Sequence, residues 1–160
     1  MKKIIFTYIF IIFFLTIFMY KGNNSLNFNF PSKTKYITSD YGFRDIFGSI
    51  SFHDGTDFGA PFMSEVYAAK NGVVSFCGFL NGYGNTISIT HENGYISSYS
   101  HLASDFKVKL GDHVLAGDTI GYVGPKYLEN GILNGLTTGP HLHFRIFKDG
   151  ETIDPMNILK

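Results

Sequence analysis

Short runs of alternating apolar and polar residues, each broken by an Asn-Gly or Asp-Gly pair, constrain this 160-residue chain more than any other feature. Asn71-Gly72 precedes the run from Val73, Asn81-Gly82 precedes Thr86 to Thr90, Asn93-Gly94 precedes Tyr95 to Tyr99, and Asp149-Gly150 precedes Thr152. Such pairs are hairpin signals, because a type I′ turn needs positive φ at both central residues. No long amphipathic helix is visible between them. The expectation is a mostly β, antiparallel fold with its site in a groove across one sheet. With 44% hydrophobic residues, including 17 Phe and 10 Tyr, the chain can fill one good-sized core and hardly two, so one domain is expected.

Three stretches carry the chemistry: His53-Asp-Gly-Thr-Asp57, Ser100-His101-Leu102 and Gly139-Pro-His141-Leu-His143. They supply four histidines and, in Asp57, a carboxylate to join them, enough for a mononuclear zinc site with catalytic helpers. A catalytic zinc takes three protein ligands and keeps a fourth position for water, which leaves two imidazoles for proton handling. His141 and His143 lie in an alternating, strand-like run, so both leave one face about 7 Å apart while Leu142 points the other way. The four-residue step from His53 to Asp57 would suit a helix face. Gly55, Gly59 and Pro61 argue against a helix, and the segment reads as a turn entering a strand.

These residues and the text around them resemble the lysostaphin-like, LytM-type zinc endopeptidases of peptidase family M23, which cut bacterial peptidoglycan. The likeness runs through Ile37-Thr-Ser-Asp-Tyr-Gly-Phe-Arg44, Phe52 to Pro61, Val66 to Val74, Gly82-Tyr-Gly-Asn85, Gly94-Tyr95, Tyr99-Ser-His-Leu102 and Gly111 to Gly121. It closes on Thr138 to Phe144 and Asp154-Pro155, and so covers roughly residues 34 to 160. It implies a twisted antiparallel sheet flanked by a smaller one, a sandwich of the duplicated-hybrid-motif kind, with zinc at the floor of a cleft walled by loops. It also implies that His53, Asp57 and His143 are the zinc ligands, one Zn2+ per chain, and that His101 and His141 are the catalytic pair. On that basis His141 is the base that takes the water's proton. His101 orients the water or stabilises the oxyanion, and the two roles are exchangeable. The activity implied is hydrolysis of stem or cross-bridge peptide bonds by a zinc-activated water.

Two departures from the family pattern bear on specificity. Arg145 stands where the family commonly has an acidic residue after His-Leu-His-Phe, and by alternation it shares the face of His141 and His143, to line the cleft or to pair with a nearby charge. The segment Pro125 to Thr137 is longer than the family's Gly/Ser-rich turn. Its Leu128, Ile132, Leu133 and Leu136 suit either a groove wall or docking of a partner, with pinning of the loop to the core as the alternative.

Asp54 reads as a turn residue, with orientation of a neighbouring imidazole as the alternative. His91 and His113 read as packed or surface histidines outside the site, and the lone Cys77 as a small buried apolar residue that has no partner for an internal disulfide. Thirteen basic and thirteen acidic residues balance, which removes any general electrostatic case for nucleic acid.

Lys2 and Lys3 precede an uncharged run from Ile4 to Tyr20, and Lys21 follows. That order is the mark of an export signal, and no small-x-small cleavage site appears, the first alanine being Ala60. Residues 1–21 are therefore expected to be a hydrophobic helix acting as signal anchor in preference to a cleaved signal peptide. Residues 22–35 are read as a linker and 36–160 as the metallopeptidase domain, outside the cytoplasm. The expected partners are peptidoglycan peptides and, through residues 4–20, the membrane, with a regulatory envelope protein as a further partner and a monomer as the default. A second reading, from a different class, is a catalytically silent LytM-like module that activates another wall hydrolase, but such relatives have usually lost ligands or catalytic histidines. A third, a biotin- or lipoyl-type carrier hairpin over Gly111 to Gly121, lacks a lysine where a carrier would present one.

Overall fold

A computed structural model describes residues 26–46 and 48–160. The punctuated runs form twelve strands among these residues: β1 (Ile37–Ser39), β2 (Gly42–Ile46), β3 (Ser49–His53), β4 (Thr56–Phe58), β5 (Glu65–Tyr67), β6 (Gly72–Leu80), β7 (Gly84–Thr90), β8 (Tyr95–Ser100), β9 (His113–Val114), β10 (Thr119–Tyr122), β11 (Leu142–Lys148) and β12 (Glu151–Ile153). The only helical turns described are 3-10 turns at Glu92–Gly94 and Pro155–Asn157. The main sheet runs β1-β4-β11-β8-β7-β6-β9, with β12 also paired to β11. Two smaller two-stranded sheets, β5 with β10 and β2 with β3, accompany it. All pairings between these strands are antiparallel.

Two of the four turn signals take both central residues to positive φ. Asn93 (59°) and Gly94 (75°) turn β7 into β8, and Asp149 (52°) and Gly150 (93°) turn β11 into β12. Gly82, at 83°, lies in the loop between the paired residues Leu80 and Gly84. Asn71-Gly72 differs. It leads from β5 into β6, strands of different sheets, and Gly72 is needed for another reason: a side chain there would collide with the Thr90 carbonyl and Ile89. The dipeptide marks a close approach between strands.

Alternation divides β11 between core and site. Leu142, Phe144 and Ile146 are fully buried and join Phe58, Ile87, Ile89, Tyr99, Leu102 and Ile120 in the core, each contributing about 1.5–3 kcal/mol by leaving water. His143 and Arg145 take the opposite face and are themselves buried.

Phe28, in the stretch read as a linker, belongs to the packed unit. It is fully buried, bridges Leu159, and its N–H donates to the Ile158 carbonyl at 2.9 Å. Its ring meets His91 edge-on at 5.1 Å and Tyr95 at 5.7 Å. Residues before 36 are therefore packed onto the same core. The hydrophobic helix expected at the N-terminus lies outside the described residues, among which no helix is long and apolar enough to cross a membrane.

Candidate metal centre

The step between His53 and Asp57 is a bend entering a strand: β3 ends on His53, the chain bends at Gly55, and β4 carries Asp57. On β11, His143 lies opposite Asp57 of β4 on one side and Ser100 of β8 on the other, so sheet register alone joins two of the three expected ligands. Gly55 is required at the bend, because a side chain there would strike the Phe144 carbonyl and the His143 ring.

Three donor atoms converge. His143 Nδ1 is 2.8 Å from Asp57 Oδ1, His53 Nε2 is 3.2 Å from the same oxygen, and the two nitrogens are 3.1 Å apart. All three residues are buried. His53 Nδ1 donates to the Asp40 carbonyl at 2.7 Å, and a carbonyl can only accept, so Nε2 carries the lone pair toward the other two groups. Two imidazole nitrogens and a carboxylate facing one point form a donor set that suits a borderline cation such as zinc, and no other group of this kind occurs among the described residues.

The two remaining histidines flank this cluster. His141 Nδ1 donates to the Gly139 carbonyl at 2.9 Å, with Thr137 Oγ1 at 3.3 Å, and its Nε2 reaches to 3.6 Å from Asp57 Oδ1. His101 Nδ1 donates to the Asn134 carbonyl at 2.7 Å. The two rings are 4.8 Å apart between centroids. His53, His101 and His141 thus share one arrangement, in which a backbone carbonyl fixes the proton on Nδ1 and leaves Nε2 as acceptor. His101 follows β8 at φ 61°, a left-handed conformation that non-glycine residues avoid, at a cost of order 1 kcal/mol or more.

Charge follows from this packing. Burial, and then the nearby His141, push His101 down to about 4, so it is neutral at neutral pH. Burial pushes the Asp57 carboxyl up, but hydrogen bonds from His143 and His53 outweigh it and hold the group well below the usual carboxylate range.

Asp54 is more than a turn residue. Its Oδ2 accepts the Tyr83 hydroxyl at 2.6 Å and Arg145 Nη1 at 3.1 Å, while Oδ1 stands 3.3 Å from His143 Nε2. Arg145 lies over the Tyr83 ring at 3.6 Å and bonds Ser98 Oγ at 3.3 Å. Of the two options read for it, Arg145 takes the charge pair, with Asp54. Replacing Arg145 by Ala should lower stability by about 2–4 kcal/mol in urea denaturation, because the remaining Asp54 loses its principal cation. Combining it with Asp54→Ala should cost less than the sum of the two single changes, whereas additive losses in the double variant would remove the pairing from the account.

His91 and His113 stand apart from the centre, as expected. His91 is buried with both nitrogens satisfied, by the Asn71 carbonyl at 2.8 Å and Ser97 Oγ at 2.7 Å, and His113 is exposed on β9. Cys77 is half-buried rather than fully buried, because its strand β6 lies toward the edge of the sheet, and burial pushes its thiol up.

The loop from Pro125 to Thr137 is held by a polar residue. Ile132, Leu133 and Leu136 stay exposed, Leu136 at 87%, while Asn134 is fully buried beside His101. Asn134 and Tyr83 are the contributors that residue-type reasoning missed. Each sits in a glycine-flanked pair, Asn134-Gly135 and Gly82-Tyr83-Gly84, the one local hint of a tight junction.

The model of peptidase family M23 matches residues 51–155. The DD-carboxypeptidase/endopeptidase Mpg of Neisseria meningitidis serogroup B is 36% identical over 124 residues, which cover 76% of this chain and 26% of Mpg. A zinc-containing peptidase from Vibrio cholerae superimposes with a TM-score of 0.67 at 33% identity, over 81% of this chain and 39% of that one. The catalytic domain of lysostaphin from Staphylococcus simulans does so with a TM-score of 0.63 at 32% identity, over 76% and 89% respectively. The chain spans about a quarter of the length of Mpg.

Proposed function

The chain belongs to peptidase family M23, and from that premise we propose that it is a zinc metalloendopeptidase hydrolysing peptide bonds in the stems or cross-bridges of peptidoglycan. The observation that carries this reading is the convergence of His53 Nε2, Asp57 Oδ1 and His143 Nδ1, with the rings of His101 and His141 alongside. All five side chains are present, which favours an active hydrolase over a silent module. The relatives' names point the same way, one being a DD-carboxypeptidase/endopeptidase and another a zinc-containing peptidase.

Zinc held by His53, Asp57 and His143 would supply a Lewis acid that polarises the scissile carbonyl and brings water deprotonation near neutral pH. The side chains around it divide the proton work. His141, with Nδ1–H engaged by the Gly139 carbonyl, presents Nε2 to receive the attacking water's proton and to return it to the departing amine. His101, neutral and with its proton held by the Asn134 carbonyl, also presents an acceptor, which suits orientation of the water. Stabilising an oxyanion would require His101 to be protonated, and its burial opposes that. Of the two roles left open for His101, orientation is the one its tautomer fits.

The test is digestion of isolated peptidoglycan with mass analysis of the products. Zinc-dependent release of peptide fragments is expected, with the elements of one water added across the two new ends of each bond cut and with glycan strands intact. Glycan fragments, or no release by protein that holds zinc, would overturn the reading.

The run from Ile4 to Tyr20 is assigned to a signal anchor that holds the domain on the outer side of the cytoplasmic membrane. Full-length protein should fractionate with membranes, while a form starting at Leu26 should be soluble and equally active on isolated wall. A mature N-terminus between Tyr20 and Phe28 in native cells would identify a cleaved signal instead.

A further inference from the structure

Every polar group of Asn134 is engaged. Its side-chain Oδ1 accepts the Asn85 N–H at 2.9 Å, and Nδ2 donates to the Leu102 carbonyl at 3.0 Å and the Pro125 carbonyl at 3.2 Å. Its own N–H donates to the Lys126 carbonyl at 2.9 Å, and its carbonyl accepts the His101 Nδ1–H at 2.7 Å. One acceptor and two donors on so short a side chain is a combination that asparagine alone provides. Aspartate in its place would set a negative charge against two carbonyl oxygens. The surroundings are built around it, since a side chain on Gly84 or Gly124 would collide with Asn134.

The groups that Asn134 joins are those that frame His101. Leu102 follows it in the chain, the Leu102 N–H donates to the Asn85 carbonyl at 2.9 Å, and the Gly124 N–H donates to the His101 carbonyl at 2.8 Å. His101 itself sits at φ 61°, a conformation that persists only where its surroundings over-determine it. The amide of Asn134 ties β7, the segment after β8 and the entry to the 125–137 loop into one junction, and so fixes where its own carbonyl stands.

We propose that Asn134 is the positioning residue of His101: its side chain locks the 125–137 loop so that its carbonyl holds the proton on Nδ1 and aims Nε2 at the metal centre. This rests on the hydrolytic reading of the site, but its first measurement does not. The long loop then has a function independent of its exposed aliphatic residues.

The experiment uses full-length protein with 15N-labelled histidine. Imidazole 15N spectra should assign His101 to the Nδ1–H tautomer in the unsubstituted protein. An Nε2–H tautomer there overturns the proposal whatever the variants do, and this result stands even if the protein cuts no peptidoglycan. Asn134→Ala and Asn134→Asp should retain zinc, lose the single-tautomer signal of His101, and release label from dye-coupled peptidoglycan at least tenfold more slowly. Glu129→Gln, an exposed change on the same loop, should match the unsubstituted protein in all three measurements. An intact His101 signal and rate in Asn134→Asp would overturn the proposal, as would zinc loss in parallel with rate.

Discussion

Alanine at His53, Asp57 or His143 should empty the metal centre and abolish hydrolysis. The three donor atoms lie within 3.2 Å of one another, so each change leaves two ligands with no defined third direction. Loss of a ligand should exceed the 10- to 100-fold cost typical of losing a group that merely supports one, and zinc measured after dialysis should fall from one per chain toward none. The ligand imidazoles must be deprotonated to bind, so acidification should release the metal in the unsubstituted protein as well. Asp57→Ala carries a second penalty, since Arg44 Nη1, 3.9 Å from the carboxylate, loses a counter-charge. Full zinc occupancy in all three variants would remove these residues from the ligand set.

His101→Ala and His141→Ala should behave in the opposite way, keeping zinc while losing roughly 10²- to 10⁴-fold in rate, the usual contribution of a positioned acid or base. Metal content measured beside rate separates the two classes of histidine. The separation is demanding for His141, whose Nε2 comes to 3.6 Å from the ligand oxygen of Asp57. Should His141→Ala lose zinc while His143→Ala keeps it, the assignment within the His-Leu-His stretch is reversed.

The parts of this site that were legible in the sequence are those governed by local chain geometry. Strand alternation puts His143 and Arg145 on one face of β11 and Leu142, Phe144 and Ile146 on the other, and it needs no knowledge of the partner strands. The Asn93-Gly94 and Asp149-Gly150 turns follow from backbone sterics alone. Asn71-Gly72 has the same letters, but its glycine answers to Thr90, a residue on a neighbouring strand. Long-range partnership hid the rest. Asp54 and Arg145 are 91 positions apart, and Asn134 and His101 are 33 apart, so neither pairing has a local periodicity to betray it. Phe28 was obscured by composition, a core residue in a stretch rich in Asn and Ser.

The Phe28 contact with Leu159 would set which way a membrane-held domain faces. Phe28 packs against His91 and Tyr95 at the start of β8, and His101 follows the other end of that strand, so the six residues of β8 separate the two poles by roughly 20 Å. Residues 21–27, even fully extended, reach at most about 25 Å. A domain held by residues 4–20 in a bilayer would therefore stand with its His91 pole toward the lipid and its metal pole outward. Its working zone would be a layer on the order of 45 Å above the membrane. Such a protein would trim the inner surface of the wall and leave the outer layers untouched, whatever bond it prefers. The short leash would be a spatial selector acting ahead of any chemical one.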